Sequence, residues 1–441
     1  MFKPLYYLGC KASFSRPIVE AISEVATGSG QVCDLFAGTG AIGATLAPYR
    51  DVTTVDVQEY SRVICSAQLR PTNLSAADAS AWTNAVRSSE IHGAMSWCFD
   101  PIVDFEKQAI ASALAGSFGD LVALLEAAPM AIPDGGDSPF NLSEARKKVR
   151  RRLKSSGLLG SSDCTVSSYF GGIYFSYQQS VFLDAALVQA SAAPEDLRDT
   201  LVAAALSSAS SIVNTVGKQF AQPLRPREKS GSVKRGLGSV VHRDRIVDAS
   251  LAYEEWLIAY SELQRSGRNH RCLRMDYLDA LDRHGSEFSV VYADPPYTRD
   301  HYSRFYHVLE TMCLRDSPQI SLVKKNGATV PSRGLYRQGR HQSPFCIRSE
   351  APKALADLFE AACRHDVPVV LSYSPHESGD GTHPRVLSAS DIMTIARQYY
   401  RSVSTDLLDG STHNKLNRSD LGLAQREHAE MVVTCHGARR R

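Results

Sequence analysis

No stretch of this 441-residue chain approaches the ~18 uncharged apolar residues that a membrane-spanning helix needs. The start, Met1-Phe2-Lys3-Pro4, lacks the basic-then-apolar pattern of a secretory signal, so a cytosolic protein is expected. An excess of charge of one sign is also missing. Lys and Arg number 49 against 47 Asp and Glu, a formal net charge of +2, so any nucleic-acid partner must be argued from local clusters. The 10 cysteines include no Cys-x-x-Cys pair, which argues against a zinc ribbon and for buried, reduced thiols. No metal site is expected. Apolar residues are not scarce: at 43%, they exclude a chain disordered throughout.

The length suits two or three structural units. Val32–Phe36 and Asp51–Val57 read as short buried strands with a helix over 41–49 between them, one βαβ unit of a parallel sheet. From 75 to 265 the chain reads mainly helical, with Ala-rich stretches at 107–128, 178–191 and 193–214. Pro133–Pro139 reads as a loop, and Val216–Arg245 as a long exposed segment. Strand signals return at Arg271–Met275, Ser289–Ala293 and Pro368–Tyr373, then at Ser402–Leu408 and Glu430–Cys435 around a polar turn. The spacing predicts an α/β domain written in two pieces, 1–75 and 266–441, around a helical insertion at 76–265.

Two motifs carry chemistry. Asp34-Leu35-Phe36-Ala37-Gly38-Thr39-Gly40-Ala41-Ile42-Gly43 holds a G-x-G-x-x-G turn between a strand and a helix. Glycine there lets backbone approach a ligand at the strand's carboxyl end. Asp56, 22 residues after Asp34, ends the next strand and suits ribose hydroxyls. The pair fits either a nicotinamide dinucleotide or S-adenosylmethionine. The second motif, Asp294-Pro295-Pro296-Tyr297, directly follows the apolar strand Val290–Ala293, where active sites of open α/β sheets belong.

With these motifs the chain resembles the S-adenosylmethionine-dependent amino-group DNA methyltransferases, in particular the adenine-N6 group with the order cofactor motif, target-recognition insertion, catalytic motif. Phe2–Lys11 resembles that group's N-terminal motif, departing from it at Cys10, where a second glycine is common. Arg274-Met275-Asp276-Tyr277 resembles the strand-end acid before the catalytic tetrapeptide. The resemblance covers about 1–70 and 270–441. It implies a Rossmann-like class I methyltransferase sheet, mostly parallel with an antiparallel C-terminal hairpin. It also implies S-adenosylmethionine contacts at Lys11, Asp34, Phe36, Gly38, Gly40, Asp56, Asp276 and Asp294. Asp276 can alternatively cap the helix that begins near Leu278. Asp294 and the Pro295 carbonyl would accept the amino hydrogens of a flipped-out base, Pro296 would stiffen the turn, and Tyr297 would stack on the base. Double-stranded DNA is the implied partner, and a companion restriction or defence protein is compatible with the class.

Cytosine-N4 methylation and a non-catalytic DNA-binding subunit remain alternatives. Cytosine-C5 methylation is excluded by the lack of a Pro-Cys nucleophile. A nicotinamide oxidoreductase would leave Asp-Pro-Pro-Tyr unexplained. Lys218, Arg225, Arg227, Lys229, Lys234, Arg235, Arg243 and Arg245 form a basic run on a Gly/Pro-rich stretch that suits DNA phosphates. A second cluster runs from Arg146 to Lys154, and Arg299 and Arg304 follow the tetrapeptide in a segment rich in aromatics and His. DNA contact is expected from Arg225, Arg227, Lys229, Arg299 and Arg304. The basic loop Gly334–Phe345 and the turn His413–Arg418 are further candidates for the substrate surface. The aromatic and glycine cluster Tyr169–Tyr177 is expected chiefly in a core.

Overall fold

The computed structural model describes residues 2–6, 11–26, 28–132, 139–297, 302–325, 327–375, 385–412 and 424–439. They divide into two compact units. One comprises Met1–Pro71, Leu263–Ser303 and His341–Arg441; the other comprises Thr72–Glu262 and Arg304–Arg340. Residues 304–340 follow Asp294-Pro295-Pro296-Tyr297 in sequence yet pack within the insertion.

Short runs of Val, Leu, Cys and Thr, each too short for a stable helix, make the strands of the first unit. In chain order these are β1 (Gln31–Leu35), β2 (Val52–Asp56), β3 (Arg271–Arg274) and β4 (Phe288–Ala293). The second unit contributes a separate antiparallel ribbon, β5 (Leu322–Lys325) with β6 (Ala328–Pro331). Back in the first unit come β7 (Val369–Tyr373), β8 (Tyr400–Thr412) and β9 (Ala424–Ala438). The large sheet has the order β3-β2-β1-β4-β7-β9-β8. It is parallel from β3 to β7, and β9 pairs antiparallel with both β7 and β8. The mostly parallel sheet with an antiparallel C-terminal hairpin is the fold expected from the motifs. The hairpin strands are longer than their apolar cores, because polar residues continue the ladder on both sides of 408 and 430.

Both faces of the sheet are covered. Ile18, Ile22, Ile42 and Leu46, from helices Ser15–Val25 and Ala41–Leu46, pack on one face with Val32, Val290 and Val370. Leu281, Leu355, Leu358 and Ile392, from three other helices, pack on the opposite face with Leu35, Val291 and Leu371. A parallel sheet buried on both sides needs this near-continuous apolar patterning. β1 is flanked by β2 and β4, so the chain winds outward from β1 in both directions. The carboxyl ends of β1 and β4 therefore border a topological switch point, where ligands bind in such sheets.

The second unit is helical apart from its ribbon and isolated bridges. Phe170, Tyr174, Phe175 and Tyr177 are fully buried in it, so the aromatic and glycine cluster is core. Val216–Arg245 is not one exposed segment: Leu237–Arg245 is a helix, with Leu237 and Val241 buried. Its charged residues hid an amphipathic stripe of only two apolar side chains.

Candidate functional site

The glycine turn is shaped by three left-handed residues. Phe36, Gly38 and Gly40 have φ of 61°, 55° and 71°. At Gly40 a side chain is excluded twice, by the backbone angle and because a Cβ would lie 2.8 Å from Cys65 Sγ. Phe36 holds a conformation that costs a non-glycine residue free energy, and its ring is fixed by Tyr277 and Phe345 at centroid distances of 5.3 Å each. Asp34, buried on β1, accepts the Gly43 amide at 3.0 Å and so ties the following helix to the strand from inside. Burial raises its pKa to about 7, against the pull of that amide.

Asp56 ends β2 and is half-buried. One carboxylate oxygen accepts the Gly38 amide at 3.0 Å and the other the Gln58 amide at 2.9 Å. The same acid therefore braces the glycine turn and faces its strand-end surroundings with lone pairs to spare. The Gln58 side-chain oxygen is buried with no hydrogen-bond partner among the described residues. Asp276 caps the helix Tyr277–His284, its Oδ1 accepting the Leu278 amide at 2.9 Å.

Asp294 leaves β4 beside the end of β1, where its amide reaches the Leu35 carbonyl at 3.5 Å. Pro295 is buried, while Pro296 and Tyr297 are half-buried. The N-terminal motif meets them here. The Lys11 ammonium lies 3.2 Å from Asp294 Oδ1 and 3.1 Å from Glu430 Oε2, and donates to the Tyr297 hydroxyl at 3.4 Å. Lys11 is 5% exposed. Burial opposes its charge, but Asp294 and Glu430 outweigh burial and hold its pKa well above the usual lysine range. Burial raises the Asp294 pKa above the ordinary carboxylate range; Lys11 opposes this and Glu430 adds to it. The Tyr297 ring lies 5.1 Å from the Tyr373 ring, with the Arg385 guanidinium 4.7 Å from its centroid. Arg385 also donates to Ser374 Oγ at 2.6 Å.

Sequence reasoning assigned no role to Glu430, Arg385 or Ser374. A signal existed for Glu430: a carboxylate opening the apolar run Met431-Val432-Val433 is out of place unless it has a buried partner. Arg385 gave none, since it meets Tyr297 only through the tertiary fold.

In the helical unit the basic residues separate by environment. Arg225, Arg227 and Lys229 are exposed, with Arg227 3.4 Å from Glu126. Arg245 is buried, bonded to Glu106 and, at 2.8 Å, to the Gly172 carbonyl, so it is not available to DNA. Lys218 and Arg243 both pair with Asp244. Arg146 is fully buried and donates to the carbonyls of Pro129 and Ile132, whereas Lys147, Lys148, Arg151 and Lys154 are exposed. Arg304 and Arg340 both lie over the Tyr336 ring, 4.9 Å and 5.2 Å from its centroid. In the basic loop, Arg337 pairs with Asp316 at 2.5 Å. Tyr306 and His307 are buried, so the aromatics after the tetrapeptide turn at least partly inward. Arg299 and the turn His413–Arg418 lie outside the described residues.

The doubly covered sheet, with a glycine turn and an Asp-Pro-Pro-Tyr motif at its carboxyl ends, defines a Rossmann-like methyltransferase. Residues 7–90 match the family model described as D12 class N6 adenine-specific DNA methyltransferase. The match supports the resemblance drawn from the motifs and favours an adenine-N6 DNA methyltransferase over a cytosine-N4 enzyme or a non-catalytic subunit. Comparison with curated proteins finds no match. Among the described residues, no helix is long and apolar enough to cross a membrane.

Asp56→Ala is expected to weaken S-adenosylmethionine binding, since it removes the acceptor expected to meet the ribose and also frees the Gly38 amide. Titration calorimetry checks this; an unchanged affinity would remove Asp56 from the cofactor site.

Proposed function

We propose that the protein transfers a methyl group from S-adenosylmethionine to the N6 amino group of an adenine flipped out of double-stranded DNA at a specific sequence. The observation that carries the reading is the convergence of the glycine turn, Asp56 and Asp-Pro-Pro-Tyr at neighbouring carboxyl ends of β1, β2 and β4.

The residues present fit the cofactor. The left-handed glycines let backbone come close, Asp56 offers lone pairs to ribose hydroxyls, and the unsatisfied Gln58 oxygen awaits a donor. Phe36 would pack beside the cofactor, and Asp34 and Asp276 would support the site by fixing the turn and a neighbouring helix start. When bound, S-adenosylmethionine supplies a methyl group on a cationic sulfur.

An adenine amino group is a poor nucleophile because its lone pair is delocalised into the ring. Asp294 and the Pro295 carbonyl accept its two hydrogens, which draws the nitrogen toward tetrahedral geometry and aims its lone pair. The gain is orientation plus preorganised electrostatics. Lys11 holds Asp294 Oδ1, and Oδ2 is the oxygen proposed to take the base. Stacking on Tyr297 contributes about 1–3 kcal/mol, and Arg385 beside that ring adds a cationic contact.

Transfer of tritiated methyl to PCR-amplified, unmethylated DNA tests the reading. Digestion should return the label as N6-methyladenine; label in cytosine or none at all would overturn it. The exposed Arg225, Arg227 and Lys229 are the proposed phosphate contacts, with Arg304 on Tyr336 beside the basic loop. Replacing the first three with Ala should weaken binding on all sequences and flatten the salt slope by about 0.9 per lost contact. A filter-binding salt series showing the wild-type slope would return this stretch to a solvated loop.

A further inference from the structure

Glu430 is 3% exposed, and its carboxylate is a second counter-charge on a lysine that Asp294 already pairs. It pairs with Leu408 across β8 and β9, one residue from the Tyr373–Met431 pair, so it sits at the carboxyl edge of the parallel strands, as Asp294 does. An ammonium has three N–H donors and no acceptor. Those of Lys11 have three oxygens within reach, on Asp294, Glu430 and Tyr297. We propose that Glu430 is a positioning residue for methyl transfer: it divides the Lys11 ammonium between two carboxylates and so keeps Asp294 a strong hydrogen-bond acceptor for the target amino group. This rests on the reading of Asp294 as the group that takes the amino hydrogen.

The charge count supports an electrostatic role. Lys11 with Asp294 alone would be neutral; adding Glu430 places two carboxylates on one cation in a buried site. Desolvating a second carboxylate is costly, and a glutamine at 430 could accept the same Lys11 hydrogen bond more cheaply. Glu430 Oε1 is moreover buried with no hydrogen-bond partner among the described residues, a loss that folding alone does not recover. The cost is explained if the negative charge itself is used. An ammonium bound solely to Asp294 would draw electron density from the carboxylate and weaken it as an acceptor; a second anion on the same ammonium relieves that pull. The effects on Asp294 have these signs, Lys11 lowering and Glu430 raising its proton affinity. Tyr297 and Arg385 face the cluster from the loop segments, Tyr292 from β4 and Asp34 from β1, and all four are unchanged in the variants that follow.

Single-turnover methyl transfer to amplified DNA, followed against pH on the full chain, tests the proposal. Glu430→Gln keeps the length and an acceptor for Lys11 but removes the charge. Its acid limb should move down by about one pH unit, with a plateau rate lower by about tenfold and S-adenosylmethionine affinity within about twofold of wild type. Lys11→Met should move the limb the opposite way, because Asp294 then faces Glu430 without a cation. Opposed shifts are not produced by loosened packing. Glu430→Met, of similar volume, repeats the charge removal if the Gln variant does not fold. An unmoved limb in Glu430→Gln, shifts of the same sign in Glu430→Gln and Lys11→Met, or failure of both Glu430 variants to fold would overturn the proposal. An active Asp294→Ala would instead overturn the reading beneath it; an inactive Asp294→Ala with an unmoved Glu430→Gln limb removes only the role of Glu430.

Discussion

Asp294→Ala is expected to lower single-turnover methyl transfer by about 10²–10⁴-fold or more while leaving S-adenosylmethionine affinity largely intact. The proposed contact of Asp294 forms with the reacting base, so the loss belongs in the chemical step rather than in cofactor binding. The fold should tolerate the change. Lys11 keeps its ion pair with Glu430 at 3.1 Å, so no buried cation is left without a counter-charge. The glycine turn has its own bonds to Asp34 and Asp56 and does not depend on Asp294. The wild-type rate carries a matching pH signature. In the proposed mechanism the carboxylate form of Asp294 is the strong acceptor of the amino hydrogen, and burial raises its pKa. Activity should therefore be lost as pH falls through that raised value, above the range of an exposed aspartate. Methyl incorporation and calorimetry on the same samples check both statements, and a fully active Asp294→Ala would sink the mechanism.

Arg245→Met is expected to destabilise the helical unit by about 3–5 kcal/mol without altering the salt dependence of DNA binding. The guanidinium is bonded to Glu106 and the Gly172 carbonyl in the interior, and the Tyr177 amide donates to Glu106 at 2.7 Å. Removing the cation leaves Glu106 buried with only neutral donors. Burial already raises its pKa, chiefly against the pull of Arg245. A urea denaturation midpoint reads the loss. Arg243→Ala provides the comparison, because that side chain is 69% exposed and its pairing with Asp244 is worth little. Should Arg245→Met keep its stability but lose DNA affinity, Arg245 would be a DNA contact after all.

The basic stretch illustrates how far sequence reading reached. Arg225, Arg227, Lys229, Arg243 and Arg245 look alike in the sequence, as cations on or near a Gly/Pro-rich run. The first three are exposed, one is paired at the surface, and the last is an interior ion-pair partner. Charge runs say nothing about burial unless an apolar stripe accompanies them, and Leu237 with Val241 was too short a stripe to detect. Arg146 hides in the same way among exposed lysines of its helix. The aromatic cluster was easier to place, because Phe and Tyr at such density in a soluble chain seek a core.

The resemblance to a known family implied the reaction class; the sequence by itself determined the strands of the large sheet, the glycine turn and the order of the two chemical motifs. All of these depend on local patterns: apolar runs of strand length, glycines where φ must be positive, and a rigid proline turn after a buried strand. Tertiary structure alone decided what surrounds Asp294. Lys11, Asp294, Arg385 and Glu430 are hundreds of residues apart along the chain at the extremes, and no local rule pairs them. They meet because β1 lies between β2 and β4, which opens a crevice at the strands' carboxyl ends, and because β9 runs antiparallel beside β7, which brings Glu430 to that same edge. Sheet order is set by which faces bury most apolar surface, a property of the whole chain, so the electrostatics of the site could be read only once the sheet was assembled.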